Sequence, residues 1–184
     1  MLGPVSVHLT ADASVLEDRL VVEFTLFNHG VPVFAYVYPD DGMRERVLRN
    51  AAYVSLSQDL DALHVDLLPP PPPLDVDFEV GVLSLAVLLS SGEERTERIE
   101  LPLPVREWSP YDLDDSPTQS GPVEVQVVRF RTCVFPEAGA HWREEGPEPQ
   151  TWWTEGEPLV ELSSILELVH PVPVWKRSDD FTRY

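Results

Sequence analysis

Three aspartates in an acidic loop have the spacing most suggestive of metal binding. Asp112, Asp114 and Asp115 follow one another closely within YDLDDS, and carboxylate oxygens are the ligands that Ca²⁺ prefers. An EF-hand loop would require a glycine at its sixth position and a bidentate glutamate at its twelfth, where this chain has Val123. The three aspartates are therefore a weak calcium candidate outside the EF-hand class, and a solvated acidic loop is the default interpretation.

Motifs for nucleophilic or cofactor-dependent catalysis are missing from the sequence. The single cysteine, Cys133, lies in an apolar run without a neighbouring base, so we expect a small core residue. There is no Gly-x-Ser-x-Gly elbow, and the nine glycines do not cluster into a phosphate-binding loop. No two histidines have the spacing of a metal-binding pair. These patterns predict a non-enzymatic protein that needs no cofactor.

Acidic and aromatic residues are mixed most densely in residues 136–158. Tryptophan is enriched at the energetic centres of protein interfaces, and clustered indoles left in water favour aggregation. A long segment that is both acidic and rich in proline is also a poor candidate for ordinary core. We therefore predict an arm that contacts a partner through Trp142, Glu144, Glu145, Trp152, Trp153 and Glu155.

Composition limits the classes of partner. The 184 residues carry a net charge of −19, which disfavours nucleic acid and anionic membranes and favours a basic partner. A genomic bias explains the charge equally well, since Lys176 is the only lysine. The longest apolar run, residues 80–89, is about half of what a membrane helix needs, and no secretory signal is recognisable. We predict a cytoplasmic protein.

The elements that position these residues are predicted to be strands. Apolar side chains alternate with polar ones over residues 20–27, and residues 28–30 supply turn chemistry before a β-branched and aromatic run at 33–38. This pattern predicts a hairpin within residues 15–38, preceded by a first strand at 5–9 and a polar connection at 12–18. A hairpin with one apolar face needs a second sheet to cover it.

Further strands follow along the chain. Prolines at alternate positions in residues 95–105 predict an edge strand, because proline cannot donate a ladder hydrogen bond. The apolar face of residues 123–135 changes phase at Val127 and Val128, which predicts a β-bulge. Residues 159–169 fit a helix or a strand; we favour a strand that ends at Trp175, because Pro171 and Pro173 exclude a helix there.

Seven to nine short strands with frequent turns predict an all-β, antiparallel sandwich. In strand spacing alone, residues 5–135 resemble the immunoglobulin-like β-sandwiches common in small bacterial proteins, although Cys133 has no disulfide partner. The resemblance implies a fold and carries no functional residue across. We predict one domain with a core at 1–135, the acidic arm at 136–158, a final extended segment at 159–176 and a polar tail at 177–184.

Charge, tryptophans and missing motifs together favour a protein–protein interaction module. Its partner would be a basic protein, with this chain as an inhibitor, immunity-type or adaptor protein, or a second copy in a bacterial assembly. Charge would raise the rate of encounter and the indoles would supply most of the affinity. The alternative is a carbohydrate-binding module, in which exposed tryptophans such as Trp142 stack on sugar rings.

Overall fold

The computed structural model describes residues 4–39, 50–68, 85–110, 119–136, 140–142, 152–154 and 159–177. Every regular element in these ranges is a strand, which confirms the all-β prediction, and no helix in them is long and apolar enough to cross a membrane. The strands are β1 (Val7–Leu16), β2 (Arg19–Asn28), β3 (Val33–Tyr38), β4 (Tyr53–Leu56), β5 (Ala62–Asp66), β6 (Leu85–Leu89), β7 (Glu94–Pro102), β8 (Val105–Arg106), β9 (Gln119–Pro136), β10 (Ala140–Trp142), β11 (Trp152–Thr154) and β12 (Val160–Arg177).

The described strands form two sheets. One has the order β1-β2-β7 and is antiparallel throughout. The other has the order β10-β11-β6-β3-β9-β12-β8, and β5 joins it beside β9 with β4 paired to β5. Only the β5–β9 and β8–β12 pairings are parallel. The chain is therefore built from mostly antiparallel sheets.

The predicted hairpin at residues 15–38 is wrong. Both of its strands exist as β2 and β3, but β2 pairs with β1 and β7, whereas β3 pairs with β6 and β9 in the other sheet. The hairpin is formed by β1 and β2, and Glu17 turns the chain with a positive φ of 54°. The expected connection at 12–18 is mostly strand, because the core-facing residues Ala11 and Ala13 are too small to give a strong apolar signal.

Asn28 holds the crossing between the two sheets. Its side chain is fully buried; Nδ2 donates to the carbonyl oxygens of Val31 and Leu89 at 2.9 Å, and Oδ1 accepts from the amide of Gly30 at 2.9 Å. Gly30 is required by space, since a Cβ there would lie 2.4 Å from the carbonyl oxygen of Pro4. These contacts satisfy a buried amide and fix where the chain changes sheet.

The core lies where the apolar faces of the two sheets meet. Phe24 of β2 contacts Phe130 of β9 with ring centroids 4.7 Å apart. Cys133 is buried as predicted, and burial together with the charge of Glu161 raises the pKa of its thiol. Fully buried large side chains include Leu20, Leu26, Leu63, Leu67, Leu89 and Ile99.

The bulge predicted in β9 is not on that strand; a register irregularity next to the predicted position has its extra residues on β12. The register between the two strands shifts between Glu167 and Val172 of β12, opposite Gln126. Gln126 Nε2 donates to the carbonyl oxygen of Leu168 at 3.0 Å and so satisfies part of the bulged backbone. Pro171 lies within the shift and Pro173 pairs with Glu124 beyond it, and both belong to one continuous strand, which confirms the extended interpretation of this segment.

Candidate interaction surface

Strand β12 has a long unpaired side. It pairs with β9 on one side from Val160 onward, but on the other side its only described neighbour is β8, which meets it at Val174 and Trp175. Residues 160–169, which we call the β12 edge, therefore have no strand partner on that side within the described ranges. An edge of this kind presents N–H and C=O groups to any extended chain that approaches.

Exposed apolar side chains concentrate at the same strand. Ile165 is 71% exposed and Val169 is 86% exposed, and both point outward from the sheet. Of the six exposed large hydrophobic residues in the described ranges, four lie on β12 or directly before it. Burying one such side chain is worth about 1.5–3 kcal/mol, so the β12 edge offers a partner a substantial driving force.

Acidic side chains alternate with these apolar ones. The exposed residues of the β12 edge include every second position: Glu161, Ser163, Ile165, Glu167 and Val169. Leu166 and Leu168, which lie between the last three of them, are buried. Glu167 forms no ion pair with any residue that the structure describes. The edge thus has an acidic and apolar outward pattern, and a complementary strand would carry apolar and basic side chains in alternation.

An ion-pair network links β12 to its neighbouring strands on the outer face. Arg131 on β9 donates from Nε and an Nη to the two carboxylate oxygens of Asp66 on β5, at 2.7 and 2.6 Å. Its other Nη lies 3.5 Å from Glu161 on β12. The hydrogen bonds to Asp66 raise the pKa of Arg131, and they satisfy a carboxylate that is largely buried. Three neighbouring strands are therefore cross-linked on the outer face, beside the β12 edge.

A positively charged spot adjoins this network. The register places His64 of β5, Arg129 of β9 and Ile165 of β12 side by side on the outer face. Burial lowers the pKa of His64, and the positive charges of Arg131 and Arg129 lower it further against the opposing effect of Asp66. The lowered pKa favours the neutral form of His64, in which case Arg129 is the charge next to Ile165 along this row.

The predicted arm contains two of the strands. Trp142 pairs through its backbone with Trp152, and Trp152 in turn pairs with Ala86 of β6. Trp153 pairs with His141, so these residues extend the nine-stranded sheet at the end opposite to β12 and β8. Their side chains, and the predicted Glu144, Glu145 and Glu155, lie outside the described part of the structure. The partner-binding and carbohydrate-binding roles of the arm stay predictions.

The weak calcium candidate Asp112, Asp114 and Asp115 also lies outside the described ranges. Within those ranges no group of three His, Cys, Asp or Glu residues is placed to hold a metal ion. Sequence reasoning missed the β12 edge, although the alternation from Glu161 to Val169 signals a strand with apolar residues on its polar face. No family model, curated protein or solved structure matches this chain.

Proposed function

We propose that this protein is a non-enzymatic interaction module that binds an extended segment of a basic protein along the β12 edge. The observation that carries the proposal is the exposure of Ile165 and Val169 on a strand whose outer side has no described partner. In strand addition, main-chain hydrogen bonds supply affinity and alternate side chains supply specificity. Both kinds of contact are offered by residues 160–169.

The chemistry of the partner follows from charge. The chain carries a net charge of −19, and Glu161 and Glu167 flank Ile165 on the exposed face. The partner segment would place an apolar side chain against Ile165 and arginine or lysine against the two glutamates. Such complementarity mainly raises the association rate, so binding would weaken at high salt. Inhibitor, immunity-type and adaptor roles share this surface, whereas a subunit of an assembly would place a second copy there.

The proposal extends to the finer description of the fold. We take the two sheets to be the layers of an immunoglobulin-like sandwich in a single domain, and the Phe24–Phe130 contact between the sheets supports the layered arrangement. The predicted acidic arm and the predicted cytoplasmic location belong to the same proposal. The arm would act as a second contact region, at the other end of the larger sheet.

Affinity capture from a lysate of the source organism tests the proposal. Wild-type protein should retain a basic protein at low salt and release it at high salt. The double variant Ile165→Ser, Val169→Ser should lose at least about tenfold in affinity, because it removes two exposed apolar contacts. Val15→Ser, Leu16→Ser is the matched control, since these residues are exposed and apolar on β1. Equal retention by all three proteins would contradict the proposal.

A further inference from the structure

The second candidate surface is an open groove of about 500 Å³, whereas the first was a strand edge. Its lining comes from Ala51 and Ala52 just before β4, from Val54 within β4, from residues 100–106 at the end of β7 and through β8, and from Trp108. We call it the Trp108 groove. Its volume lies in the range of small-molecule sites, which are mostly apolar with a few polar groups.

The walls of the Trp108 groove are preformed. Trp108 exchanges two backbone hydrogen bonds with Val54, at 2.8 and 3.0 Å. Its indole stacks on Tyr53 with ring centroids 5.3 Å apart and planes only 6° from parallel. Val54, Leu101 and Val105 are buried and supply apolar surface, so a ligand would meet a fixed aromatic and aliphatic lining. Such preorganisation lowers the entropic cost of binding.

Two charged residues line the groove, and only one of them is already neutralised. Glu100 accepts from Arg19 at 2.8 Å and from Arg98 at 2.9 Å, so its carboxylate is fully engaged. Arg106 is exposed, and its side chain forms no ion pair or hydrogen bond with the residues that the structure describes. A guanidinium without a partner among the described residues, beside an apolar lining, presents a planar set of donors that matches a carboxylate.

We propose that the Trp108 groove binds a small amphipathic carboxylate, with its apolar ring system against the indole and its carboxylate on Arg106. The choice of an anionic ligand rests on the local charge of Arg106. The net charge of −19 should repel anions at long range, so any preference of the groove for an anion must come from Arg106. The site is independent of the β12 edge, and neither proposal depends on the other.

Three ring-matched probes separate the local charge from the overall field. We would titrate the full chain with 2-naphthoate, 2-naphthalenemethanol and 2-naphthylmethylammonium, and follow backbone amides and the Trp108 indole by two-dimensional NMR. Naphthoate should bind about tenfold more tightly than the alcohol, as expected for one charge-assisted contact, and the ammonium should bind most weakly. The shifts should map to residues 51–54, 100–106 and Trp108.

Substitutions test whether the preference for the anionic probe comes from Arg106. Arg106→Gln should make naphthoate and the alcohol bind equally, while Ala51→Leu, which fills the groove, should weaken all three probes. Arg129→Gln is the matched control, because Arg129 is also exposed and unpaired among the described residues, outside the groove. Thermal melting of each variant checks that the fold is retained.

Several outcomes would overturn the proposal. These are an ammonium probe that binds as tightly as naphthoate, an anion preference that survives Arg106→Gln, shifts that map elsewhere, and no shift with millimolar probe. Cellohexaose included in the same series covers a neutral sugar, and perturbation of Trp108 by cellohexaose with none by naphthoate would replace the carboxylate with a carbohydrate.

Discussion

Strands β7 and β12 belong to different sheets, and each has an unpaired side among the described strands. They differ in how that side is protected from pairing with another chain. β7 pairs only with β2 among the described strands, yet it directs Arg95 and Glu97 toward the core side. There Arg95 pairs with Glu97 at 2.6 Å, and Tyr38 donates to Glu97 at 3.1 Å. Inward charges of this kind discourage another strand from adding to an edge.

The outward side of β7 is charged as well, whereas β12 leaves apolar groups in water. Five of the nine residues of β7 are charged: Glu94, Arg95, Glu97, Arg98 and Glu100. Between Val160 and Val169, β12 carries only Glu161 and Glu167 beside the exposed Ile165 and Val169. The comparison teaches that the edge at β7 is protected by charge whereas the edge at β12 is not, as expected if β12 is an edge that binds a partner.

The largest change in stability should come from breaking the ion-pair network that links β12 to its neighbouring strands. Asp66→Ala leaves Arg131 without its bidentate partner, and we expect a loss of about 1–3 kcal/mol in the free energy of unfolding. Glu161→Gln is the control, since its 3.5 Å contact with Arg131 is exposed and should contribute less than about 1 kcal/mol. Urea unfolding measures both, and equal losses would show that the network does not act through Asp66.

A smaller effect should follow from opening the blocked edge. Arg95→Val with Glu97→Val removes the inward charges of β7, and we expect self-association about tenfold stronger than that of the wild type, roughly 1.4 kcal/mol. Sedimentation velocity at several concentrations measures the change. Glu94→Gln is the matched control on the same strand. No increase in association would mean that these charges do not protect β7.

The free energy of unfolding at alkaline pH should report on Tyr38, which contacts Glu97 of β7. Burial, together with the negative charge of Glu97, raises the pKa of Tyr38 above its ordinary value near 10. The folded state therefore resists ionisation, so this contribution to stability is present below pH ~10 and is lost as pH rises through the folded-state pKa. In urea unfolding between neutral and alkaline pH, Tyr38→Phe should lose less stability than the wild type; identical profiles would contradict this.

The smallest expected effect is a change in the free energy of unfolding at acid pH, caused by His64, which lies in one row with Arg129 and Ile165 of β12. The pKa of His64 is lowered, chiefly by burial, so the neutral form is favoured in the folded state. Its contribution is present above the unfolded pKa of ~6.5 and is lost as pH falls below it. His64→Gln should flatten the wild-type decline in the free energy of unfolding between pH 7 and 5. His8→Gln, on an exposed position of β1, is the control substitution, and equal flattening by both variants would contradict the prediction.

Periodic patterns predicted most strands but not their partners. Alternation located β2 and β9, the prolines at 171 and 173 favoured a strand over a helix at β12, and the proline spacing identified the edge position of β7. The pairing of β2 with β3 failed because Asn28 and Gly30 form a crossing between sheets, and the same residue types also suit a tight hairpin turn. Local turn chemistry does not distinguish the two outcomes, which differ only in distant contacts such as that with Leu89.

The β12 edge likewise combines a feature that the sequence determines with one that only the tertiary structure decides. The alternating order of Glu161, Ile165 and Val169 specifies a strand with apolar groups on its polar face, because side chains in a strand alternate between faces at any location. Whether that strand is central or at an edge depends on which distant segments pair beside it, and those contacts form only in the folded chain. Likewise Arg106 and Trp108 are near neighbours in sequence, but folding brings Ala51, Ala52 and Val54 to the same groove. It also leaves the Arg106 side chain without an ion-pair partner among the described residues.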